Sequence, residues 1–118
     1  MKEIFTSAAP QETVILVGTD IDKEQNLSET LAELERLVET AGGEAVGTII
    51  QRRERPDIAT YIGKGKLEEL KALQQETHAT TVVFDDQLSP AQQRNIEKIM
   101  EVKVIDRTAL ILDIFAQR

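Results

Sequence analysis

The sequence contains no cysteine and a single histidine, His78, among its 118 residues. The missing thiols exclude disulfides, thiol catalysis and cysteine-ligated zinc, and one histidine excludes any site that needs two. Aromatic residues make up only 3% of the chain, so the core must be built from leucine, isoleucine, valine and alanine. Uninterrupted apolar runs reach only about five residues, which excludes a membrane-spanning segment and a signal peptide.

The length and composition fit one small domain. A chain of 118 residues and 13.2 kDa buries about two-thirds of its unfolded surface when it folds, which is enough for a core without disulfides or metals. The apolar fraction of 41% and the charged fraction of 30% are ordinary for a soluble globular domain.

The net charge of −7 argues at first against nucleic acid as a partner, but the charge is unevenly distributed. Residues 1–50 carry three basic and ten acidic side chains, and therefore the whole excess of −7. Residues 51–118 carry eleven of each and are neutral. Within the second half, residues 52–66 have five basic and two acidic side chains, a local charge of +3. The net charge of the whole chain thus conceals one basic segment, residues 52–66.

Short apolar runs alternate with amphipathic helical patterns four times along the chain. Such alternation predicts an α/β fold with a mainly parallel four-stranded sheet, helices on both faces and βαβαβαβα order. Crossovers are expected to be right-handed. The predicted strands cover residues 14–17, 45–50, 81–84 and 102–105.

Capping residues mark where the helices begin and end. Asn26 is a predicted N-cap with Glu29 in capping-box position, and Gly42 is expected to end that helix in a left-handed conformation. Ser89 is a second predicted N-cap, with Pro90 at the first helical position and Gln92 at the third. The helix between them is expected to start near Lys66, and Thr108 is a plausible N-cap for the last one.

The ends of the chain differ from its middle. Residues 1–12 lack periodicity and are expected to form a flexible leader, followed by the α/β domain over residues 13–108. Residues 109–118 have helical spacing without a stop signal before the last residue. They are therefore expected to start a helix that continues into a longer protein.

A glycine-lysine segment, Gly63-Lys64-Gly65-Lys66, precedes the second helix. Glycines at such a position expose backbone N–H groups to a phosphate, and lysines add charge, so Gly63, Lys64, Gly65 and Lys66 are candidate nucleotide-binding residues. The segment is neither a Walker A loop nor a GxGxxG motif, because Leu67 and Glu68 follow it. The alternative is a mobile turn whose lysines are solvated.

Arginines follow the second strand, about ten residues before the glycine-lysine segment. Their forked side chains suit phosphate diesters, and a solvated charged loop is the alternative. Tyr61 lies between the two basic groups and could stack on an unpaired base or fix the loop to the core. The candidate nucleic-acid-binding residues are Arg52, Arg53, Arg55, Lys64 and Lys66.

Acidic residues follow the third strand, and a basic residue follows the fourth. Asp85 and Asp86 could hold magnesium or cap the next turn, and Arg107 could contact phosphate or pair with a nearby carboxylate. No catalytic constellation is recognisable in the sequence. We expect no catalytic residue and no metal site in this chain.

Three long stretches resemble the N-terminal domain of the HflX family of ribosome-associated GTPases. They are residues 60–70 (TYIGKGKLEEL), 84–95 (FDDQLSPAQQRN) and 104–118 (VIDRTALILDIFAQR), and the similarity extends in register over about residues 14–118. Each stretch is far longer than a generic motif, and their order and spacing also match.

The resemblance implies a cytoplasmic protein that continues into a helical linker and a GTPase domain with its own P-loop. GTP and Mg²⁺ are expected in that domain and no cofactor in this one, because none of the GTPase motifs is present here. The implied partners are the large ribosomal subunit with its rRNA, and the protein's own GTPase domain. Splitting or rescue of stalled ribosomes is the implied activity. Expected contacts with the GTPase domain involve Asp85, Asp86, Arg107 and Phe115.

Overall fold

The computed structural model describes residues 11–20, 26–52 and 56–116, and the structural statements below concern these residues. Strands and helices alternate from end to end, as predicted. The elements are β1 (Glu12–Thr19), α1 (Leu27–Thr40), β2 (Gly43–Gln51), α2 (Lys64–Thr77), β3 (Thr81–Phe84), α3 (Pro90–Met100), β4 (Lys103–Asp106) and α4 (Arg107–Ala116).

The four strands form one sheet in the order β2-β1-β3-β4, and every neighbouring pair is parallel. β1 and β3 lie in the centre, where continuous apolar strands are shielded on both faces. The predicted α/β class and parallel sheet are confirmed. The order itself could not be read from the sequence, because strand pairing depends on contacts between distant segments.

Alternate residues of the central strands face two separate apolar clusters. Val14 and Leu16 of β1 pack with α1 and α4 on one face of the sheet. Ile15 and Val17 pack with α2 and α3 on the other face. Two helices therefore cover each face, which confirms the predicted layers. Gly18 lets α1 approach β1 closely, since a Cβ there would lie 2.9 Å from Cδ2 of Leu31.

Several helix ends follow the predicted capping chemistry. The Asn26 side chain accepts a hydrogen bond from the backbone N–H of Glu29 at the start of α1, and Gly42 has a φ of 96° just after that helix. At the start of α3, Ser89 and Gln92 form a reciprocal capping box with Pro90 in the first turn. The predicted caps at Asn26 and Ser89 are confirmed, and both bonds of a capping box are shown at Ser89 and Gln92.

Several boundaries differ from the sequence prediction. β1 covers Glu12–Thr19 and not 14–17, β2 covers Gly43–Gln51 and not 45–50, and α4 begins at Arg107 and not at residue 109. α2 begins at Lys64 and not near Lys66, because Gly63 takes an extended conformation as its N-cap and Gly65 is helical. β4 covers Lys103–Asp106, one residue later than expected. Thr108 is not the N-cap of α4, because the Asp106 carboxylate accepts a hydrogen bond from the backbone N–H of Ala109, at 3.0 Å. The prediction of a leader over residues 1–12 falls mostly outside the described residues, and β1 already includes Glu12.

Candidate functional site

The carboxyl ends of the four strands lie at one edge of the sheet. β1 continues through α1 to β2 on one side, while β3 continues through α3 to β4 on the other side. Successive strands are therefore added toward opposite sides of the sheet on either side of the β1–β3 pair. In open α/β sheets, the crevice at such a switch point is where ligands usually bind. The residues at this edge are Thr19 and Asp20 at the end of β1, Gln51 and Arg52 at the end of β2, Asp85 and Asp86 just after β3, and Asp106 with Arg107 at the end of β4.

A side chain of the protein itself occupies this crevice. The Tyr61 side chain lies close enough to Thr19 and Asp86, one residue from each side of the switch point, for both to influence the pKa of its hydroxyl. Its ring packs edge-on against Phe84, with ring centroids 6.3 Å apart. Of the two roles considered for Tyr61, the structure shows contact with the core. Burial, together with the hydrogen bond and negative charge of Asp86, raises the pKa of Tyr61 to about 12.

The acidic pair after β3 is held by protein side chains. Asp86 accepts a short hydrogen bond from the Thr19 hydroxyl. Asp85 accepts hydrogen bonds from Nε and Nη2 of Arg107, at 2.9 and 2.5 Å. Only 8% of the Asp85 side chain is exposed, so this pair is largely removed from solvent. Within the described part of the chain, no group of three or more His, Cys, Asp or Glu side chains is placed to hold a metal ion.

Arg107 joins the end of β3 to α1. Besides its bonds to Asp85, it donates from Nη2 to the backbone carbonyl of Thr30, at 2.7 Å. Its Nη1 lies 3.4 Å from a carboxylate oxygen of Glu33. Of the two roles considered for Arg107, the structure shows pairing with carboxylates. This contact makes Arg107 a link between the sheet edge and the acidic first helix.

The basic residues meet where β2 ends and α2 begins. The backbone N–H of Gly63 donates to Oε1 of Gln51, at 2.6 Å, and so joins the start of α2 to the end of β2. Arg52 follows Gln51 and pairs with Asp20 at 2.6 Å, although 77% of its side chain stays exposed. Lys64 is exposed, and Lys66 pairs with Glu69 at 2.8 Å. We call Arg52, Lys64 and Lys66 the basic surface.

The start of α2 has the charge distribution opposite to the usual one. Helix N-termini carry partial positive charge and favour acidic residues in their first turn. α2 has no acidic residue there but two lysines, and its N-cap residue, Gly63, provides no side-chain cap. A Cβ at Gly65 would meet nothing within 4 Å, and Gly65 itself is exposed. The arrangement is complementary to an anion such as a phosphate.

The structure does not describe the side chains of three other predicted site residues. Arg53 and Arg55 lie outside the described residues, as does the side chain of Phe115. Sequence reasoning gave no role to Gln51, whose side chain positions the start of α2. It also gave no role beyond helix capping to Gln92, which contacts the loop before Tyr61. Nothing in the local sequence marks these long-range contacts, since each depends on the tertiary fold.

Comparisons with known proteins match almost the whole chain. A family model described as "GTP-binding GTPase N-terminal" matches residues 28–116. GTPase HflX of Lacrimispora saccharolytica is 50% identical over 118 residues, which are all of this chain and 28% of that protein. GTPase HflX of Escherichia coli is 45% identical over 107 residues, or 91% of this chain and 25% of that protein.

A solved structure has the same fold. It is a GTP-binding protein from the archaeon Sulfolobus solfataricus in complex with GDP, with a TM-score of 0.67 and 25% identity. The match covers 90% of this chain and 30% of that one. The chain thus spans about a quarter of the length of the curated relatives it matches. Among the described residues, no helix has the length and apolar character that crossing a membrane requires.

Proposed function

Since this chain belongs to the GTP-binding GTPase N-terminal family and is the N-terminal domain of an HflX GTPase, we propose that it docks its parent protein on the RNA of the large ribosomal subunit. The parent acts there in the cytoplasm to split or rescue ribosomes, and hydrolyses GTP with Mg²⁺ in a following domain. The present domain contributes binding and restraint, and no catalytic residue.

The start of α2 is the observation that carries this proposal. Lys64 and Lys66 lie in the first turn of α2, which has no acidic residue and no side-chain cap from its N-cap residue Gly63. Arg52 adds a third cation at the neighbouring strand end. Phosphate oxygens are the natural complement of such a surface, and they give binding that weakens as salt rises.

Association of the full-length protein with purified large ribosomal subunits tests the proposal. Lys64→Ala with Lys66→Ala should weaken binding and lower the slope of log affinity against log salt by about 1.5 to 2. Adding Arg52→Ala should lower affinity and slope further. Arg36→Ala with Lys71→Ala removes the same charge elsewhere and should leave both unchanged. Equal affinity and equal salt slope for the Lys64/Lys66 variant and for the unsubstituted full-length protein would contradict docking by the basic surface.

The contact with the GTPase domain forms the second part of the proposal. Asp85, Asp86, Arg107 and Phe115 are assigned to it, and the acidic outer side of α1 lies next to Arg107 through Glu33. GTPase rates of the full-length protein and of a form lacking residues 1–118 test this assignment. A changed rate is expected, because removal of the contact alters the restraint. Identical rates would contradict a regulatory role.

An independent ATP or GTP site at Gly63–Lys66 is the alternative function. Its support is limited to the exposed helix N-terminus, and that feature also fits RNA phosphates. Isothermal titration of the chain with ATP, GTP and Mg²⁺ distinguishes the two. Heat of binding at millimolar nucleotide would favour the alternative.

A further inference from the structure

An isoleucine stands almost entirely in solvent at the tip of a short turn before Tyr61. Ile58 is 93% exposed, the most of the large hydrophobic side chains among the described residues. We call residues 57–61 the Ile58 hairpin. Single exposed apolar residues are common on proteins and need no explanation by themselves. This one differs because the backbone that displays it is fixed from two sides.

Hydrogen bonds within the Ile58 hairpin fix its shape. The backbone groups of Asp57 and Tyr61 bond to each other in both directions, at 2.9 and 3.0 Å. The Asp57 carboxylate accepts from the backbone N–H groups of Ala59 and Thr60, at 2.8 and 3.0 Å. Tyr61 has a φ of 65°, which closes the turn in a conformation that bulky residues rarely adopt. The aspartate is therefore occupied within the turn.

Hydrogen bonds from α3 fix the position of the hairpin. Nε2 of Gln92 donates to the carbonyl of Asp57, and Nδ2 of Asn95 donates to the carbonyl of Ala59, both at 2.9 Å. The two donors lie nearly one turn apart on the helix. The hairpin therefore rests on α3 with Ile58 directed to solvent. A side chain held in this way loses little conformational entropy when it binds, which is the main advantage of preorganisation.

The surface of α3 around this contact is basic. Ala91, Arg94, Asn95 and Lys98 are exposed at helical spacing, so they share one stripe along the helix. Neither Arg94 nor Lys98 has an ion-pair partner within the part of the chain that the structure describes. The preorganised apolar tip thus has unpaired positive charge beside it.

We propose that the Ile58 hairpin and the exposed stripe of α3 form a docking surface for a second protein. That protein presents an apolar pocket bordered by carboxylates, which receives Ile58 and pairs with Arg94 and Lys98. An aliphatic anchor in a pocket, bordered by a polar rim of complementary charge, is one arrangement that gives a specific protein interface.

RNA is the less suitable occupant of this surface. Single-stranded bases are bound by aromatic rings and arginine planes. Arg94 supplies one guanidinium group, but Ile58, the apolar tip of the surface, offers neither stacking nor hydrogen bonds. The docking surface shares no residue with the basic surface of Arg52, Lys64 and Lys66. The proposal therefore stands apart from ribosomal docking, and substitutions in one surface leave the other intact.

Site-specific photo-crosslinking in cells tests the proposal with the full-length protein. A photoreactive amino acid replaces Ile58 in one strain and Gln75, an exposed residue of α2, in a control strain. We expect a nuclease-resistant adduct with one other protein from position 58 only. Mapping of the cross-link should place it in a segment where acidic residues surround apolar ones.

Charge reversal of α3 provides the second arm. Arg94→Glu with Lys98→Glu should lower the adduct yield at least about tenfold, while Arg36→Glu with Lys71→Glu should leave it unchanged. Once the partner is purified, Ile58→Asp should weaken its binding at least about tenfold without changing the melting temperature, because Ile58 is exposed. If the charge-reversed protein does not fold, Arg94→Ala with Lys98→Ala replaces it.

Four results would overturn the proposal. An adduct destroyed by nuclease would assign the surface to RNA, and an adduct within the same polypeptide would make the contact intramolecular. A yield from position 58 no greater than that from position 75 would show that no specific partner binds. An adduct yield that is unaffected by the charge changes at Arg94 and Lys98 would contradict a partner pocket bordered by carboxylates.

Discussion

Ionisation of Tyr61 should be coupled to the stability of the fold. The folded chain holds the phenol in the crevice between β1 and β3, and its pKa is raised from 10.0 to about 12. The unfolded chain exposes the phenol to water, where the pKa is close to 10. The folded state therefore binds the proton more tightly. The contribution of Tyr61 to stability is complete below pH 10 and is lost as the pH rises from about 10 to about 12.

The size of the effect follows from the shift. Each pKa unit corresponds to about 1.36 kcal/mol, so two units set an upper limit of about 2.7 kcal/mol. Tyr61 is only partly buried, and solvent screening reduces the expected loss to on the order of 1 kcal/mol. The Tyr61→Phe variant keeps the ring against Phe84 but has no proton to lose. Its stability should lack this part of the pH dependence.

The composition makes the measurement direct. Tyr61 is the only tyrosine and the chain has no tryptophan, so the near-ultraviolet absorbance of tyrosinate reports this side chain alone. We expect a midpoint near pH 12 in the folded chain and near pH 10 in urea. Urea unfolding of the unsubstituted chain and of Tyr61→Phe is then measured at pH 9 and pH 11. The lysines titrate in both proteins, so the difference in their loss of unfolding free energy is due to Tyr61. A folded-state midpoint near 10, or an equal loss of stability in the two proteins, would refute the coupling.

Two further predictions concern helix α2 and the Arg107 link. Gly65→Ala should raise the free energy of unfolding by about 0.5 to 1 kcal/mol, because Gly65 is helical and a Cβ there meets nothing within 4 Å. Thermal denaturation measures this gain, and a lower melting temperature would show that the start of α2 is not helical. Arg107→Ala should cost about 2 to 4 kcal/mol in urea unfolding, because it leaves the largely buried Asp85 carboxylate without its cation. Arg107→Lys should recover only part of this loss, and Arg52→Ala, which breaks an exposed pair, should cost less than about 1 kcal/mol. Equal costs for Arg107→Ala and Arg52→Ala would contradict the burial argument.

Local chemistry made much of the fold predictable. The continuous apolar run at residues 14–17 predicts a strand that is buried on both faces, as the structure shows. Ser89 and Gln92 form the capping box that their spacing predicts, with Pro90 in the first turn. Gly65 misled the prediction of α2, because glycine usually weakens helices, while the adjoining residues supply enough propensity to include it.

The site was less predictable, because its contacts join segments that are far apart in sequence. Arg107 had two possible roles from its sequence position, and only the fold places Asp85 and the Thr30 carbonyl beside it. Tyr61 likewise lies in a basic segment by sequence but in an acidic crevice in space. Pairing of this kind depends on strand order, and strand order has no local signature.

The central position of β1 has a consequence for synthesis of the protein. β1 pairs with β2, which follows soon after it, and with β3, which comes much later. Thr13 and Thr80, which are hydrogen-bonded across the second pairing, are 67 residues apart. A chain that grows from its N-terminus therefore exposes one edge of β1 until β3 has left the exit tunnel, and α1 covers only one of its faces. The sheet is therefore completed only late in the translation of this domain. The β1–β2 pair must avoid aggregation until β3 has been synthesised.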